Sequence, residues 1–289
     1  MGKKHAKERK VGAGMLPQHR KTKITLADGG IMPAVTLGDG PTPVVTLPGA
    51  GDGLSTVYDS ARNLAWFYRR RARHQRMYLL SRREGFSAAH GIAEHADDYI
   101  EALETLRLGP VILECNSAGG PIGQQIAARR PDLVGALVLA STAHRLDANA
   151  AAVIEGWLKM VTESRWGDFG WDTTVKTYRA ASRLAMVGAV LKPMFGSIIR
   201  PSDPQRIANL LRGLLGFDNS GTLEQINCPT LVFGGTRDPI FTPELQHQMA
   251  ESITDCRFVQ ATGHLHGADL ESDQYPPEVV DLIMRANVQ

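Results

Sequence analysis

A mostly parallel sheet wound with helices on both faces, interrupted by a helical insertion, is the architecture this sequence predicts. Three observations lead there. Short β-branched runs alternate with stretches whose apolar residues recur on a helical period. Some of those runs, Leu133–Ala140 above all, are apolar almost without a break, as strands covered on both faces are. Between about Leu146 and Leu223 the alternation stops and the chain reads as helical, rich in Trp157, Trp166, Trp171, Met160, Phe169, Phe195 and Phe217. That interval is too long for a loop of a compact domain.

The elements follow in chain order. Lys23–Leu26 and Met32–Leu37 flank Asp28-Gly29-Gly30, the turn of a hairpin. Pro43–Leu47 is a compact strand that ends in Pro48-Gly49-Ala50-Gly51-Asp52-Gly53. Ser60–Arg73 reads as a helix and Arg76–Leu80 as the next strand. In Ile92–Leu106, Ala93, Ala96, Tyr99, Ile100, Leu103 and Leu106 share a helical face. Pro110–Glu114 is a buried-type strand that runs through Asn116-Ser117-Ala118-Gly119-Gly120 into a helix ending near Arg130. Beyond the insertion come strand Thr230–Phe233, helix Pro243–Ser252, strand Arg257–Gln260 and helix Pro277–Ala286. The division expected is a basic tail over 1–22, a core over 23–145 and 224–289, and a helical cap over 146–223.

Charge is unevenly placed along the 289 residues. Residues 1–23 hold eight Lys/Arg against Glu8, leaving a body with 24 basic and 29 acidic residues, net −5. A basic tail with neither aromatic residues nor an amphipathic face reads as solvated chain rather than a nucleic-acid or lipid anchor. The cluster Arg69–Arg76 closes a helix, where cations complement the helix dipole. No run of about 18 apolar residues is present, so no membrane span is expected. Three scattered cysteines suggest neither a disulfide framework nor a metal cluster, and the cytoplasm is the expected compartment.

The chemistry concentrates at Ser117. A strand that turns sharply into a helix thrusts the apex side chain clear of the backbone, at the sheet edge where ligands bind. A serine hydroxyl there needs a base, usually His, and a third group that fixes the tautomer of the base. His264, in Ala261-Thr262-Gly263-His264 after the last strand, is the expected base, with His266 as the alternative. Asp238, in Gly234-Gly235-Thr236-Arg237-Asp238-Pro239, is the expected acid, ahead of Asp147. The Ala118 N–H at the helix start is one expected oxyanion donor. The glycine-rich Gly49–Gly53 loop, through Ala50 N–H beside Gly49, supplies the other. The same loop lacks the spacing of a phosphate-binding motif.

These residues resemble the α/β-hydrolase fold superfamily in four blocks: Val44–Gly53, Val111–Ala140, Cys228–Pro239 and Val259–His264. The order Ser117, Asp238, His264 is that of the family. Two positions depart from its pattern. Cys115 stands where the Gly-x-Ser-x-Gly elbow has its first glycine, and Pro48 where many members carry His. Dehalogenases and epoxide hydrolases of this fold use Asp at the elbow, so the resemblance with Ser117 implies acyl transfer to water through an acyl-enzyme. It implies a small-molecule acyl substrate, such as an ester, and no cofactor. The same fold also supports carbon–carbon bond hydrolysis, acyl transfer to other acceptors, and non-catalytic ligand binding, so these remain alternatives. Nothing in the sequence reports an oligomeric state.

Overall fold

The computed structural model describes residues 18–184, 188–199 and 201–286. The first 17 residues of the basic tail lie outside that range. Eight strands among the described residues form one sheet: β1 (His19–Thr25), β2 (Ile31–Leu37), β3 (Thr42–Leu47), β4 (Gln75–Leu80), β5 (Val111–Asn116), β6 (Val134–Ala140), β7 (Thr230–Gly235) and β8 (Cys256–Ala261). Their spatial order is β1-β2-β4-β3-β5-β6-β7-β8. The first two pairings, β1 with β2 and β2 with β4, are antiparallel. All the others are parallel. The hairpin therefore caps one edge of a parallel sheet. Its first strand begins at His19, inside the segment assigned to the tail, because seven residues of each arm pair in register from His19↔Leu37 to Thr25↔Ile31.

Side-chain alternation along the strands divides the core in two. Val45, Leu113 and Cys115 face one side, packed on α2 (Ile92–Thr105) and α3 (Gly120–Arg129) through Ala96, Tyr99, Ile122 and Ile126. Val44, Ile112 and Val138 face the other, against α1 (Ala61–Phe67) and the last helix (Tyr275–Ala286) through Ala61, Ala65, Val279 and Leu282. Helix α2 departs from its sequence reading in one respect: Ala93 is exposed, while Ile92 and Ala102 take the buried face. The Ser60–Arg73 helix is shorter than expected, because Tyr68 ends α1 and a single 3-10 turn, Arg71–Arg73, follows. Arg71 in that turn is no solvated helix end. It forms an ion pair of 2.8 Å with Glu114 of β5, and Tyr275 Oη donates to the same carboxylate.

Among the described residues, five α-helices lie between β6 and β7: α4 (Ala148–Thr162), α5 (Trp166–Thr177), α6 (Arg179–Arg183), α7 (Gly188–Ile198) and α8 (Pro204–Leu214). Asp147 caps α4, accepting from Ala150 N–H at 2.7 Å, and so is occupied as a helix cap. The aromatic residues of the insertion pack edge to face, Trp157 and Trp166 on Phe169 and Trp171 on Phe195. Helix α9 (Pro243–Glu251) and the short α10 (Ala268–Glu271) complete the chain before α11 (Tyr275–Ala286). No helix among the described residues is long and apolar enough to cross a membrane.

Cys115 fits because α3 makes room for it. The thiol is buried at the end of β5, and a Cβ built on Gly123 would stand 2.2 Å from its Sγ. Cysteine at 115 thus requires glycine at 123. Gly123→Ala is expected to destabilise by about 1–3 kcal/mol through overpacking, against its helix propensity. In a Cys115→Gly background the same change should instead stabilise by about 0.5–1 kcal/mol, the propensity difference alone. Urea denaturation of the four proteins checks this reversal of sign.

Candidate active site

Ser117, Asp238, His266 and Arg82 all follow the carboxyl ends of parallel strands, β5, β7, β8 and β4. Ser117 follows β5 directly, at φ +48°. The one-turn helix Ser117–Gly119 leads into α3. A non-glycine residue at positive φ is strained, and here the surroundings impose it. Ser117 C=O accepts from Thr142 Oγ1 at 2.8 Å, and a Cβ on Gly119 would lie 2.5 Å from Leu47 O. Gly120 presses equally close to Thr142. Only glycine at both positions lets the turn seat against β3 and β6.

His266, not His264, meets the serine. Its Nε2 lies 2.9 Å from Ser117 Oγ and its Nδ1 lies 2.9 Å from Asp238 Oδ2. The sequence reading placed the base two residues early, for a local reason. Ala261–His264 is a turn, closed by His264 N–H to Ala261 C=O at 3.2 Å with Gly263 at φ +73°. His264 is still inside that turn. Its Nδ1 lies 3.1 Å from Thr262 O, and its carbonyl accepts from Arg237 N–H. Two more residues carry the chain clear. The His266 and Gly267 amides then donate to Lys176 and Thr177 carbonyls at the end of α5, so the insertion holds the imidazole loop. The turn chemistry of Thr262-Gly263 was the available signal that the first histidine free to reach Ser117 is His266.

Asp238 is placed as expected, after β7. It is buried, and Oδ1 accepts the amides of Ile240 at 2.9 Å and Phe241 at 3.1 Å. Oδ2 accepts from Gln246 Nε2 and from His266. A carboxylate on Nδ1 fixes the tautomer with the proton on Nδ1, leaving Nε2 to accept the serine proton. Burial opposes charging of His266, but the Asp238 carboxylate outweighs it and holds the imidazole above its ordinary pKa.

The Gly49–Ala50 segment lies on the serine: a Cβ on Gly49 would stand 3.2 Å from Ser117 Cβ. Arg82, 1% exposed, clamps this arrangement. Its guanidinium donates to Gly49 C=O at 3.3 Å and to Ala118 C=O at 3.0 Å. Gly49 C=O belongs to the same peptide as Ala50 N–H, so the clamp holds the plane of that peptide. Asp52 Oδ2 accepts Arg82 N–H at 3.1 Å and Arg206 Nη2 of α8 at 2.8 Å. Neither arginine was legible in the sequence, because their partners lie far along the chain.

A cavity of about 500 Å³ opens onto Ser117 and His266. Leu54, Val57 and Leu64 line it from the core, and Trp157, Phe169, Thr173, Thr177 and Tyr178 from the insertion. Asn116 and Asp269 form its floor beside the serine, joined at 2.8 Å.

His90, His95 and Asp98 bring possible metal-ligand atoms within 4.8 Å of one another. Asp98 is already committed to Arg83 at 3.2 Å and His90 at 2.8 Å. Burial, with Arg82, Arg206 and Arg83 nearby, holds His95 well below its ordinary pKa. That positive field opposes a bound cation.

Residues 44–282 match the model of the alpha/beta hydrolase family. The chain is 32% identical over 170 residues to the pimeloyl-[acyl-carrier protein] methyl ester esterase of Chromobacterium violaceum, covering 55% of this chain and 63% of that esterase. It is 26% identical over 197 residues to the (E)-2-((N-methylformamido)methylene)succinate hydrolase of Acinetobacter baylyi, covering 68% and 71%. The enol-lactonase of Burkholderia xenovorans LB400 superposes with a TM-score of 0.73 at 19% identity, over 91% of this chain and 100% of that one, a likeness of fold.

The geometry separates the two histidines. Labelling of Ser117 by a fluorophosphonate is expected to slow by about 10³-fold or more in His266→Ala and to change little in His264→Ala. The labelling rate should fall as pH drops through a midpoint above about 6.5, the ordinary histidine value, because the base must be neutral. Asp238→Asn should move that midpoint downward and slow labelling as well, since it removes the charge that raises it.

Proposed function

The chain belongs to the alpha/beta hydrolase family, and from that premise we propose that it is a serine hydrolase of small esters or related acyl compounds, working through Ser117, His266 and Asp238. The observation that carries this reading is the unbroken relay, 2.9 Å from serine to imidazole and 2.9 Å from imidazole to carboxylate, with Ser117 and His266 in the wall of a cavity. It replaces His264 by His266 as the base.

The steps follow from the geometry. Ser117 Oγ attacks the acyl carbon while His266 Nε2 takes its proton. Asp238 stabilises the imidazolium that forms. The Ala50 and Ala118 amides serve the oxyanion, and the clamp of Arg82 on the Gly49 carbonyl fixes the first of them before substrate arrives. His266 then protonates the leaving group. Water, activated by the same imidazole, releases the acid and restores the serine. The helical insertion acts as a cap. Its Trp157 and Phe169 give the cavity apolar walls suited to an acyl chain, and Thr173, Thr177 and Tyr178 supply hydroxyls suited to a polar end. The esterase activity named for the Chromobacterium relative agrees with this assignment, although the match covers 63% of that protein. Retention of all three residues of the relay speaks for turnover over a purely ligand-binding role.

A panel of p-nitrophenyl esters from acetate to octanoate tests the reading. Saturable turnover is expected, reduced by about 10³-fold or more in Ser117→Ala, together with loss of fluorophosphonate labelling in that variant. No turnover and no labelling in the native protein would remove the assignment.

A further inference from the structure

Asp269 is a third carboxyl at the site, and the relay makes no use of it. It stands three residues beyond His266, in the first turn of α10, and lines the cavity together with Asn116, Ser117 and His266. Its Oδ2 accepts from Asn116 Nδ2 at 2.8 Å and its Oδ1 from Ser141 Oγ at 2.9 Å. Each oxygen keeps a lone pair beyond those bonds. The residue is half-buried, and it borders the cavity that the substrate enters.

No countercharge comes with it. The only other acid of the cavity wall among the described residues, Asp52, is held by Arg82 and Arg206. No Lys or Arg occurs among the described lining residues. The titratable groups that face Asp269 are His266, Glu114 of β5, and the phenols of Tyr68, Tyr178 and Tyr275. Glu114 is negative and already paired with Arg71. His266 is neutral in the state that activates Ser117. A carboxylate here therefore sets the sign of the potential inside the cavity.

We propose that Asp269 determines the charge class of the substrate: it excludes acyl compounds that carry a carboxylate into the cavity and admits uncharged or cationic ones. The inference rests on the reading of Ser117 as the nucleophile. Like charges a few ångströms apart in a partly dehydrated wall repel strongly, whereas an ammonium or hydroxyl can use the free lone pairs. Burial pushes the Asp269 carboxyl up to about 6, partly offset by Ser141 and His266. Exclusion is thus fullest above neutrality and relaxes as the pH falls through that value.

Three methyl esters of one length provide the test: methyl hexanoate, monomethyl adipate and methyl 6-aminohexanoate, with acid release followed chromatographically. At pH 8 the native enzyme is expected to favour the neutral ester over the adipate by about tenfold or more in kcat/KM, chiefly through KM, and to accept the cationic ester. Asp269→Asn should collapse that ratio toward one. Asp269→Glu, which keeps the charge, should restore it. Protonation of His266 affects all three esters alike and cancels in the ratio. The native ratio should therefore narrow between pH 8 and pH 5.5, while that of Asp269→Asn stays flat. A carboxyl that merely braced Asn116 and Ser141 would change the neutral ester's kcat and leave the ratio alone, and that result overturns the proposal. So does a native ratio near one. Calorimetric titration of the three esters into Ser117→Ala reads the same discrimination without turnover. Selective binding there, with no hydrolysis by the native chain, would remove the hydrolase reading and leave the role of Asp269 standing. Equal binding, or binding of none of them, would remove the role of Asp269.

Discussion

The site depends on one strained residue. Ser117 holds a φ of +48°, a conformation that costs a non-glycine residue about 1–2 kcal/mol. The cost is sustained because the backbone around it has nowhere else to go. Thr142 Oγ1 and Gly120 N–H both donate to the Ser117 carbonyl. Gly119 lies against the Leu47 carbonyl at a separation that excludes a side chain, and Gly49 lies tightly against Ser117 itself. The same crowding sets Oγ within 2.9 Å of His266 Nε2 and holds the Gly49–Ala50 segment beside it. The strain and the placement of the Ser117 side chain are two consequences of a single close approach between the ends of β3 and β5.

Charge buried beneath that approach ties it to the helical insertion. Arg82 and Asp52 have side chains 1% exposed, and Arg206 is 8% exposed. Buried ions are costly unless their hydrogen bonds are filled. Here carbonyls do most of the filling: Gly49 and Ala118 for Arg82, and Asp52, Arg82 and Arg83 for Arg206. Because Arg206 belongs to α8, the insertion shares its anchorage with the loop that carries Ala50. A second tie runs from the end of α5 to the amides of His266 and Gly267. The insertion thus braces both the Gly49–Gly53 loop and the His266 loop, and its removal would leave Arg82 and Asp52 without their third partner.

Legibility in the sequence followed the range of the interaction. The central strands show as local patterns, since burial on both faces demands consecutive apolar residues, and the edge hairpin shows through its Asp28-Gly29-Gly30 turn. Ser117 and Asp238 show because each stands where a strand ends in small residues. His266 was displaced by two residues, because a turn at Thr262-Gly263 uses up chain that a strand-end rule does not count. Arg82, Asp52 and Arg206 were out of reach: 154 positions separate the last two, and charged residues read locally as solvent-facing. Arg71 misled for the same reason, since its carboxylate partner sits 43 positions away on β5. Cys115 looked like damage to the elbow until α3 supplied Gly123 as its complement.

Two aspartates stand near one imidazole, and their surroundings give them different capacities. Asp238 receives two backbone amides, a glutamine amide and His266 Nδ1, so its oxygens are filled by donors fixed in the fold. Such a group can orient and balance a histidine, and has nothing left to offer a ligand. Asp269 receives the side-chain donors Asn116 and Ser141 and borders open volume. Burial outweighs the donors it has and raises it to about 6, so it changes charge close to the range in which a histidine does. Its nearest donor, Asn116, is also the residue before Ser117, which places any change at Asp269 one peptide from the nucleophile. Spacing along the chain does not distinguish the two acids. The number and kind of donors around each one does, and it assigns the relay to Asp238 and the cavity to Asp269.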